Sequence, residues 1–279
     1  MARRIPVPLS LIAVLLPVSS AAAQEGRWAT LREDAEHLVG DAFHVWTAPA
    51  RVDGSDLAGF AAVAGAVVLV GVFDDEIQDW LRENPESLPV RALGPMREPR
   101  LLSRLGYTQT LAPLSGAVYL LGLVTRSDGL REAGIGCVTA DLSNTPVRHL
   151  LARLLGRLRP EFTRDPYIIE PFAWGDWPMR SFPGGHVANI MACSTFWSNH
   201  FDLGGWSALL YAFSAAMGMA RTVDGAHWTS DTLFGLVFGW AVGRAVAGRF
   251  EERDRPAADP RANAAVRPPG LTLGWRIRF

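Results

Sequence analysis

The chain has 279 residues, a formal net charge of −1 at pH 7 and a hydrophobic fraction of 49%. This length suits one domain with a large core or two domains, and the balanced charge gives no global field that would attract nucleic acid. All 27 basic residues are arginines, because the sequence contains no lysine. Any site that needs a cation must therefore use guanidinium groups, which bind phosphate oxygens in a forked geometry and stay charged.

The N-terminus has the pattern of a secretory signal peptide over residues 1–23. Arg3 and Arg4 precede an uncharged apolar stretch, and alanines at positions 21–23 form a small-residue cleavage pattern. We therefore expect a mature chain that begins near Gln24 and lies in the cell envelope, facing the periplasm. An uncleaved membrane anchor is the alternative.

Residues 57–250 predict an all-α domain, a bundle of five to six core helices. Pro-rich segments at 74–106 and 160–183 interrupt it and are expected to be loops, the first with room for one short helix. The predicted helices are Leu57–Phe73, Thr108–Val124, Leu130–Leu158, Val187–Trp197, Leu203–Ala220 and Thr232–Ala247.

The segments that flank this domain are expected to be less regular. Residues 24–56 are mixed and polar and predict one or two short surface helices. Residues 251–279 form a charged, Pro-rich tail that we expect to be flexible. The alternation of apolar residues from Leu271 to Phe279 is typical of a short strand. The last strand of an outer-membrane barrel has this pattern too, although one strand makes no barrel.

Two further features concern packing. Gly235, Gly239 and Gly243 recur in the last predicted helix and favour close approach by a neighbouring helix. Cys137 and Cys193 could pair in an oxidising compartment, but two distant cysteines do not make a disulfide framework. We expect both to be separate core residues.

The most informative segment runs from Arg221 to Asp231. His227 and Asp231 are four residues apart, so on a helix they share a face. A carboxylate bonded to one ring nitrogen fixes the tautomer and leaves the other nitrogen free to attack. Arg221 ends the preceding helix and is expected to reach the same pocket. Taken alone, the segment fits a capped helix start equally well.

Two more segments lie at predicted helix ends. Gly184 and Gly185 allow backbone N–H groups to approach an anion at the start of a helix, and His186 in its first turn is placed as a general acid. Arg159 closes a long helix. Each has a simpler explanation when taken alone, as a Pro-Gly turn or as a partner of the helix dipole.

In this order, the three segments resemble the type 2 phosphatidic acid phosphatase superfamily, which also contains vanadium haloperoxidases. The resemblance covers residues 57–248, and the matching residues are Arg159-Pro160, Pro183, Gly185-His186, Arg221, His227 and Asp231. It implies a phosphohistidine on His227, a ring held by Asp231, and His186 as acid and then base.

The resemblance also implies how phosphate is bound. Arg159 and Arg221 are expected to neutralise its oxygens, helped by the amides of Gly184 and Gly185. The family's lysine falls on Ala152, and its two serines fall on Gly184 and Ala220. We expect Arg153, one residue from the lysine position, to replace the lost cation.

No cofactor is expected, because no His, Cys and carboxylate cluster has the spacing of a metal site. The remaining histidines are expected to be structural or surface residues; they are His37, His44, His149 and His200.

The expected substrate is a lipid phosphate or pyrophosphate, with Trp174 and Trp177 at a headgroup boundary. Membrane association follows, but spanning by every apolar helix would put Arg159 in the cytoplasm, at odds with secretion. No topology is therefore fixed. The alternatives are a non-catalytic envelope or lipid-binding protein and, with less support, a vanadate-dependent haloperoxidase.

Overall fold

The computed structural model describes residues 21–97 and 103–254. Within them the chain forms ten α-helices: α1 (Ala21–Trp46), α2 (Gly54–Gly71), α3 (Asp74–Glu83), α4 (Leu88–Ala92), α5 (Gly94–Arg97), α6 (Thr108–Thr125), α7 (Asp128–Leu155), α8 (Gly185–His200), α9 (Ser207–Val223) and α10 (Thr229–Asp254). Short 3-10 turns lie at Ala48–Arg51, Ser103–Gly106, Pro160–Phe162 and Gly204–Trp206.

The chain divides into two compact units, the first ending at His37 and the second beginning at Leu38. The described part of the first unit is the beginning of α1, which carries an exposed ion pair between Arg32 and Glu36 at 2.9 Å. All the other helices belong to the second unit.

Helix α8 lies at the centre of the second unit and packs against α7, α9 and α10, while α6 packs on α7 and α2 on α10. Buried apolar residues of α7, α8 and α10 form the main core: Ala140, Ala192, Phe196, Val242, Val246 and Ala247. The prediction of an all-α bundle of five to six core helices is confirmed.

The glycines of α10 allow this helix to lie against α8. A Cβ atom added to Gly235 would lie 2.5 Å from the carbonyl oxygen of Gly184. Cβ atoms added to Gly239 and Gly243 would lie only 2.3 Å and 2.2 Å from carbonyl oxygens of α8. Real Cβ atoms are not found at such distances, so only glycine permits this backbone contact. The predicted close approach is therefore present, and it fixes the start of α10 beside the start of α8.

From the sequence we expected the two cysteines to be separate core residues, and this prediction was wrong. Both are buried, and Cys137 of α7 and Cys193 of α8 form a disulfide across 56 residues of sequence. The helix packing brings their Cα atoms to 4.7 Å, which is within the range of a disulfide.

Other sequence predictions differ from the structure in detail. One continuous helix, α1, replaces the one or two short helices expected between residues 24 and 56. The segment 74–106 holds three short helices where one was expected. The signal peptide's first 20 residues and the predicted strand at 271–279 lie outside the described residues.

The loop that follows α7 is irregular but firmly held. Gly156 ends α7 with φ +59°, and a Cβ atom there would lie 1.8 Å from the Glu170 carbonyl oxygen. The Leu158 amide donates to the Ile168 carbonyl (3.0 Å), and the Ser181 amide donates to the Arg157 carbonyl (3.0 Å). The end of α7 and the start of α8 are thereby tied together.

Within the described ranges, α10 is the one helix long and apolar enough to cross a membrane. Of its apolar 18-residue stretch, 39% is buried in the protein. Helices α2 and α3 together pass the same test but are bent by 47° at their junction.

Candidate active site

Two imidazole rings face each other at the starts of α8 and α10. The ring centroids of His186 and His227 are 6.0 Å apart. The Nε2 atoms of both rings are buried and have no hydrogen-bond partner. The second and third sequence segments therefore meet at this point. At this separation, a single ion placed between the rings can contact both of them.

The other nitrogen of His227 fixes the orientation of its ring. Nδ1 lies 2.6 Å from the Ser181 carbonyl oxygen. A carbonyl can only accept, so Nδ1 carries the proton and Nε2 carries the lone pair. His227 is thus held as a neutral ring whose buried Nε2 carries the lone pair.

The partner of the ring is not Asp231, and the sequence prediction of this contact was wrong. The fully buried Asp231 carboxylate accepts from the Trp228 amide (3.0 Å), from Arg157 Nη1 (2.7 Å) and from Ser181 Oγ (2.5 Å). Its position in the first turn of α10 turns it back to cap that helix. Asp231 therefore reaches His227 indirectly, through Ser181.

Ser181 is a site residue that the sequence analysis did not identify. It is fully buried, and its hydroxyl donates to Asp231 while its carbonyl accepts from His227. Both roles depend on where the loop after α7 places residue 181. No spacing rule predicts that position from the sequence.

Three guanidinium groups surround the two rings. Arg159 is 7% exposed and stacks on Trp177 with 3.9 Å between Cζ and the ring centroid. Arg221 is held at one side by Asp224, with an N–O distance of 3.0 Å. The third group belongs to Arg148. All three Nε atoms are buried without a hydrogen-bond partner.

Arg148, and not Arg153, is the third arginine. The Arg148 guanidinium covers the start of α8, with Nη1 2.6 Å from the position of a Cβ atom on Gly185. Arg153 instead donates to the His149 carbonyl (3.0 Å) and lies over Trp174. The prediction that Arg153 replaces the family's lysine is therefore wrong.

The two glycines also differ from each other in role. The Gly184 amide donates to the Asp231 carbonyl oxygen at 2.9 Å, so this N–H is committed to the fold. The prediction that it binds phosphate is therefore wrong. Gly185 opens α8, where the helix dipole favours an anion, and its missing side chain makes room for Arg148.

Tyr107 covers the outer side of His186. The two ring centroids are 4.1 Å apart in an edge-to-face arrangement. A Cβ atom on the neighbouring Gly106 would lie 2.7 Å from the His186 Cβ, so the backbone also lies against this histidine. The sequence analysis did not identify Tyr107, because it lies in a segment far from the three motifs.

The electrostatic environment keeps both imidazoles neutral. Burial, and after it the charges of Arg159, Arg221 and Arg148, lower the pKa of His227 to about 3, although the Ser181 carbonyl acts in the opposite direction. Burial and the nearby positive charges likewise hold the pKa of His186 well below its ordinary value. At pH 7 this site therefore presents three cations and two neutral rings, which suits a multiply charged anion.

The described residues contain no group of three or more His, Cys, Asp or Glu side chains that could hold a metal ion. The convergence of buried donors identifies the chemistry of the ligand. Three arginines, a helix N-terminus and two imidazole nitrogens match a tetrahedral oxyanion such as phosphate.

Comparison with known proteins gives matches to this part of the chain. Residues 135–255 match the family model described as the PAP2 superfamily. Lipid A 1-phosphatases of Rhizobium etli and Porphyromonas gingivalis are each 33% identical, over 93 and 92 residues, which are 33% and 32% of this chain. The match spans 39% and 17% of the length of those relatives.

One solved structure also resembles the chain, a crystal structure of a transmembrane PAP2 type phosphatidylglycerolphosphate phosphatase from Bacillus subtilis. The TM-score is 0.37 at 19% identity, covering 79% of this chain and 98% of that one. The family match contains all three site segments, from Arg159 through His186 to His227. Residues 135–255 of this chain therefore match the PAP2 superfamily.

Proposed function

We propose that this protein hydrolyses a phosphate monoester or a pyrophosphate, carried by a lipid, through a phosphohistidine formed on His227. The observation that supports this most strongly is the set of buried nitrogens without hydrogen-bond partners: Nε of Arg148, Arg159 and Arg221, and Nε2 of His186 and His227. Buried donors are almost always paired in folded proteins. The oxygens of a bound phosphoryl group would accept from the three guanidinium Nε–H groups and from a protonated His186, and its phosphorus would face the lone pair of His227 Nε2.

In the first step, the lone pair on His227 Nε2 forms the N–P bond as the bond from phosphorus to the leaving oxygen breaks. His186 gives its proton to that oxygen. The arginines neutralise the charge on the three equatorial oxygens, which is the main requirement of phosphoryl transfer. The Nδ1–H of His227 stays bonded to the Ser181 carbonyl throughout.

In the second step, water attacks phosphorus and gives a proton to His186, and the N–P bond breaks. Inorganic phosphate is released and His227 returns to its neutral form. His186 must be protonated at the start of the cycle. An anionic substrate raises the pKa of His186, because it offsets the arginine charges that lower it in the free protein.

Arg148 takes the part of the family's lysine in this proposal. It lies on α7 four residues before Ala152, so both positions share one face of the helix. The longer, forked guanidinium group reaches from one turn further away. Gly184 and Ala220 still lack the two family hydroxyls, so Arg148 compensates for only one of the three differences.

The proposed substrate is a lipid, and the protein is proposed to associate with a membrane of the cell envelope. The relatives named as lipid A 1-phosphatases support a lipid phosphate. The loop beside Arg159 exposes large apolar side chains, with Phe172, Trp174 and Trp177 at 61%, 65% and 50%. Exposed aromatic residues of this kind suit a headgroup boundary.

A non-catalytic phospholipid-binding protein is the second candidate, because Ala152 and Ala220 are buried where the family has polar donors. The deciding experiment measures phosphate release from phosphatidate, undecaprenyl pyrophosphate and a soluble aryl phosphate. We expect release by the wild type and by a His37→Ala control, and none by His227→Ala. A ³²P-labelled substrate should leave an acid-labile label on the wild type and on the His37→Ala control, but not on His227→Ala.

Equal release by wild type and His227→Ala would refute the nucleophile. Lipid binding by the wild type without release from any of the three substrates would favour the non-catalytic protein. Circular dichroism of each variant shows whether the fold is intact.

A further inference from the structure

A buried carboxylate outside the family match lies beside the site. Asp74 is the first residue of α3, more than 60 positions before the matched region begins at residue 135. Its side chain is fully buried. Burying an ionised carboxylate is costly unless it is paired and hydrogen-bonded, so its partners indicate what it does.

The partners of Asp74 belong to the candidate site. Its Oδ2 accepts from Arg157 Nη2 at 2.9 Å and from the Ser230 hydroxyl at 2.5 Å. Its Oδ1 accepts from the Ser230 amide at 2.9 Å. Asp74 thus caps the first turn of α10, the helix that carries Asp231, and at the same time holds one side of Arg157.

The other side of Arg157 binds Asp231. Arg157 Nη1 lies 2.7 Å from Asp231 Oδ1 and 2.8 Å from Ser230 Oγ, and its Nε donates to the Pro166 carbonyl (2.9 Å). One guanidinium group therefore bridges two buried carboxylates, and its position depends on both of them.

These contacts continue to the nucleophile. Asp231 Oδ2 accepts from Ser181 Oγ at 2.5 Å, and the Ser181 carbonyl lies 2.6 Å from His227 Nδ1. The path from Asp74 to the ring consists of charge-assisted or buried hydrogen bonds between groups that are each at most 8% exposed.

We infer that Asp74 is a positioning residue for the nucleophile: with Arg157 it holds Asp231 and Ser181 so that the Ser181 carbonyl fixes the proton of His227 on Nδ1. This inference rests on the proposed function. Asp74 contacts no reacting atom, and its effect on the reaction passes through Arg157 and Ser230.

The proposal separates two kinetic effects. The phosphate-binding arginines, Arg148, Arg159 and Arg221, make no hydrogen bond to this network among the contacts described above, so substrate affinity should not depend on Asp74. The fraction of His227 with a free Nε2 lone pair should depend on it. Asp74→Asn keeps the shape of the side chain but places an NH2 group against Arg157 or Ser230.

We therefore expect Asp74→Asn to lower kcat about 10- to 100-fold and to leave KM within about threefold. Glu76→Gln, an exposed carboxylate in the same helical turn, is the matched control and should leave both unchanged. Arg157→Lys keeps the charge but cannot bridge both carboxylates, so it should reproduce the loss of kcat. The double variant, with both Asp74→Asn and Arg157→Lys, should lose no more of its kcat than the more strongly affected single variant.

A second readout does not depend on activity. ¹⁵N-histidine NMR distinguishes the two neutral tautomers, and the His227 signals are assigned by their loss in His227→Asn. The wild type should show one tautomer, protonated on Nδ1, and Asp74→Asn or Arg157→Lys a mixture of two. If the wild type releases no phosphate, the proposed function fails, while the tautomer comparison still tests the inference.

An unchanged tautomer and an unchanged kcat in folded Asp74→Asn would overturn the inference. A rise in KM that accounts for the whole loss of kcat/KM would also overturn it, because it would place Asp74 in substrate binding. Should Asp74→Asn fail to fold, as thermal melting would show, the same two measurements on Arg157→Lys decide the matter.

Discussion

Removal of Arg148 tests which cation replaces the missing lysine. Its hydrogen bond to Thr108 is 3.5 Å long and adds little, and its Nε has no partner, so most of the guanidinium group is free to bind substrate. A hydrogen bond to a charged group contributes about 1.5–3 kcal/mol. At 1.36 kcal/mol per factor of ten, Arg148→Ala should lower kcat/KM roughly 10- to 150-fold.

The loss of Arg148 should not unfold the protein. Its electrostatic partner is Asp141, which is fully buried. Burial raises the pKa of Asp141 to about 6, and Arg148 acts in the opposite direction. Without Arg148 this pKa rises further, which favours the protonated carboxyl group over an unpaired buried charge.

Arg153→Ala is the matched control. It removes an arginine from the same helix, five residues away, whose guanidinium lies over Trp174. The assay is phosphate release from an aryl phosphate and from phosphatidate in mixed micelles, and we expect Arg153→Ala to stay within about twofold of the wild type. A loss with Arg153→Ala as large as with Arg148→Ala, or no loss with Arg148→Ala, would refute the assignment.

Three further predictions test the charge, the packing and the covalent link of the same site. Corrected for substrate ionisation, the limb of the kcat/KM profile that reports His227 should lie near pH 3, with activity lost below it, because the pKa of His227 is about 3 and only its neutral ring attacks in the proposed mechanism. A limb near pH 6.5 that is assigned to this ring would contradict the prediction. Gly239→Ala should destabilise the fold by roughly 1–3 kcal/mol in thermal melts, because its Cβ would lie 2.3 Å from a carbonyl oxygen of α8. The control Gly248→Ala should not destabilise the fold, because its Cβ would meet no atom within 4 Å. Equal melting temperatures of the two variants would argue against the helix contact. The joint change Cys137→Ser and Cys193→Ser should lower stability by up to about 4 kcal/mol, the chain-entropy value for a loop of 56 residues, and reductant should lower the melting temperature of the wild type but not of this variant.

The sequence predicted the parts of the site that depend on helical periodicity and on motif order. Apolar runs predicted the core helices, and the glycines of α10 predicted its close contact with α8. The same periodicity could have identified Arg148, since it lies four residues before Ala152 on one helical face. Arg153 was preferred for its nearness in sequence, but one residue turns a side chain about 100° around a helix.

Other parts of the site depend on tertiary packing and could not be predicted from one sequence. Asp74 lies 83 residues before Arg157 and 156 before Ser230. Ser181 receives its role from the irregular loop after α7, and the disulfide depends on the way α7 and α8 face each other. The contact between Asp231 and His227, which spacing did predict, is replaced because Asp231 caps its own helix.

The charge of the site also controls when the reaction can begin. In the free protein, burial and after it the charges of His227 and the three arginines hold the pKa of His186 well below its ordinary value, so this ring is neutral and cannot act as an acid. A phosphate group that pairs with those arginines offsets their charges, and the pKa of His186 rises as the substrate binds. His227 responds less in this proposal, because its Nδ1 proton is already committed to the Ser181 carbonyl and its Nε2 is the atom that attacks phosphorus. In the proposed mechanism, binding of the anion therefore favours protonation of the acid while leaving the nucleophile neutral, which is the pair of protonation states that the first step requires.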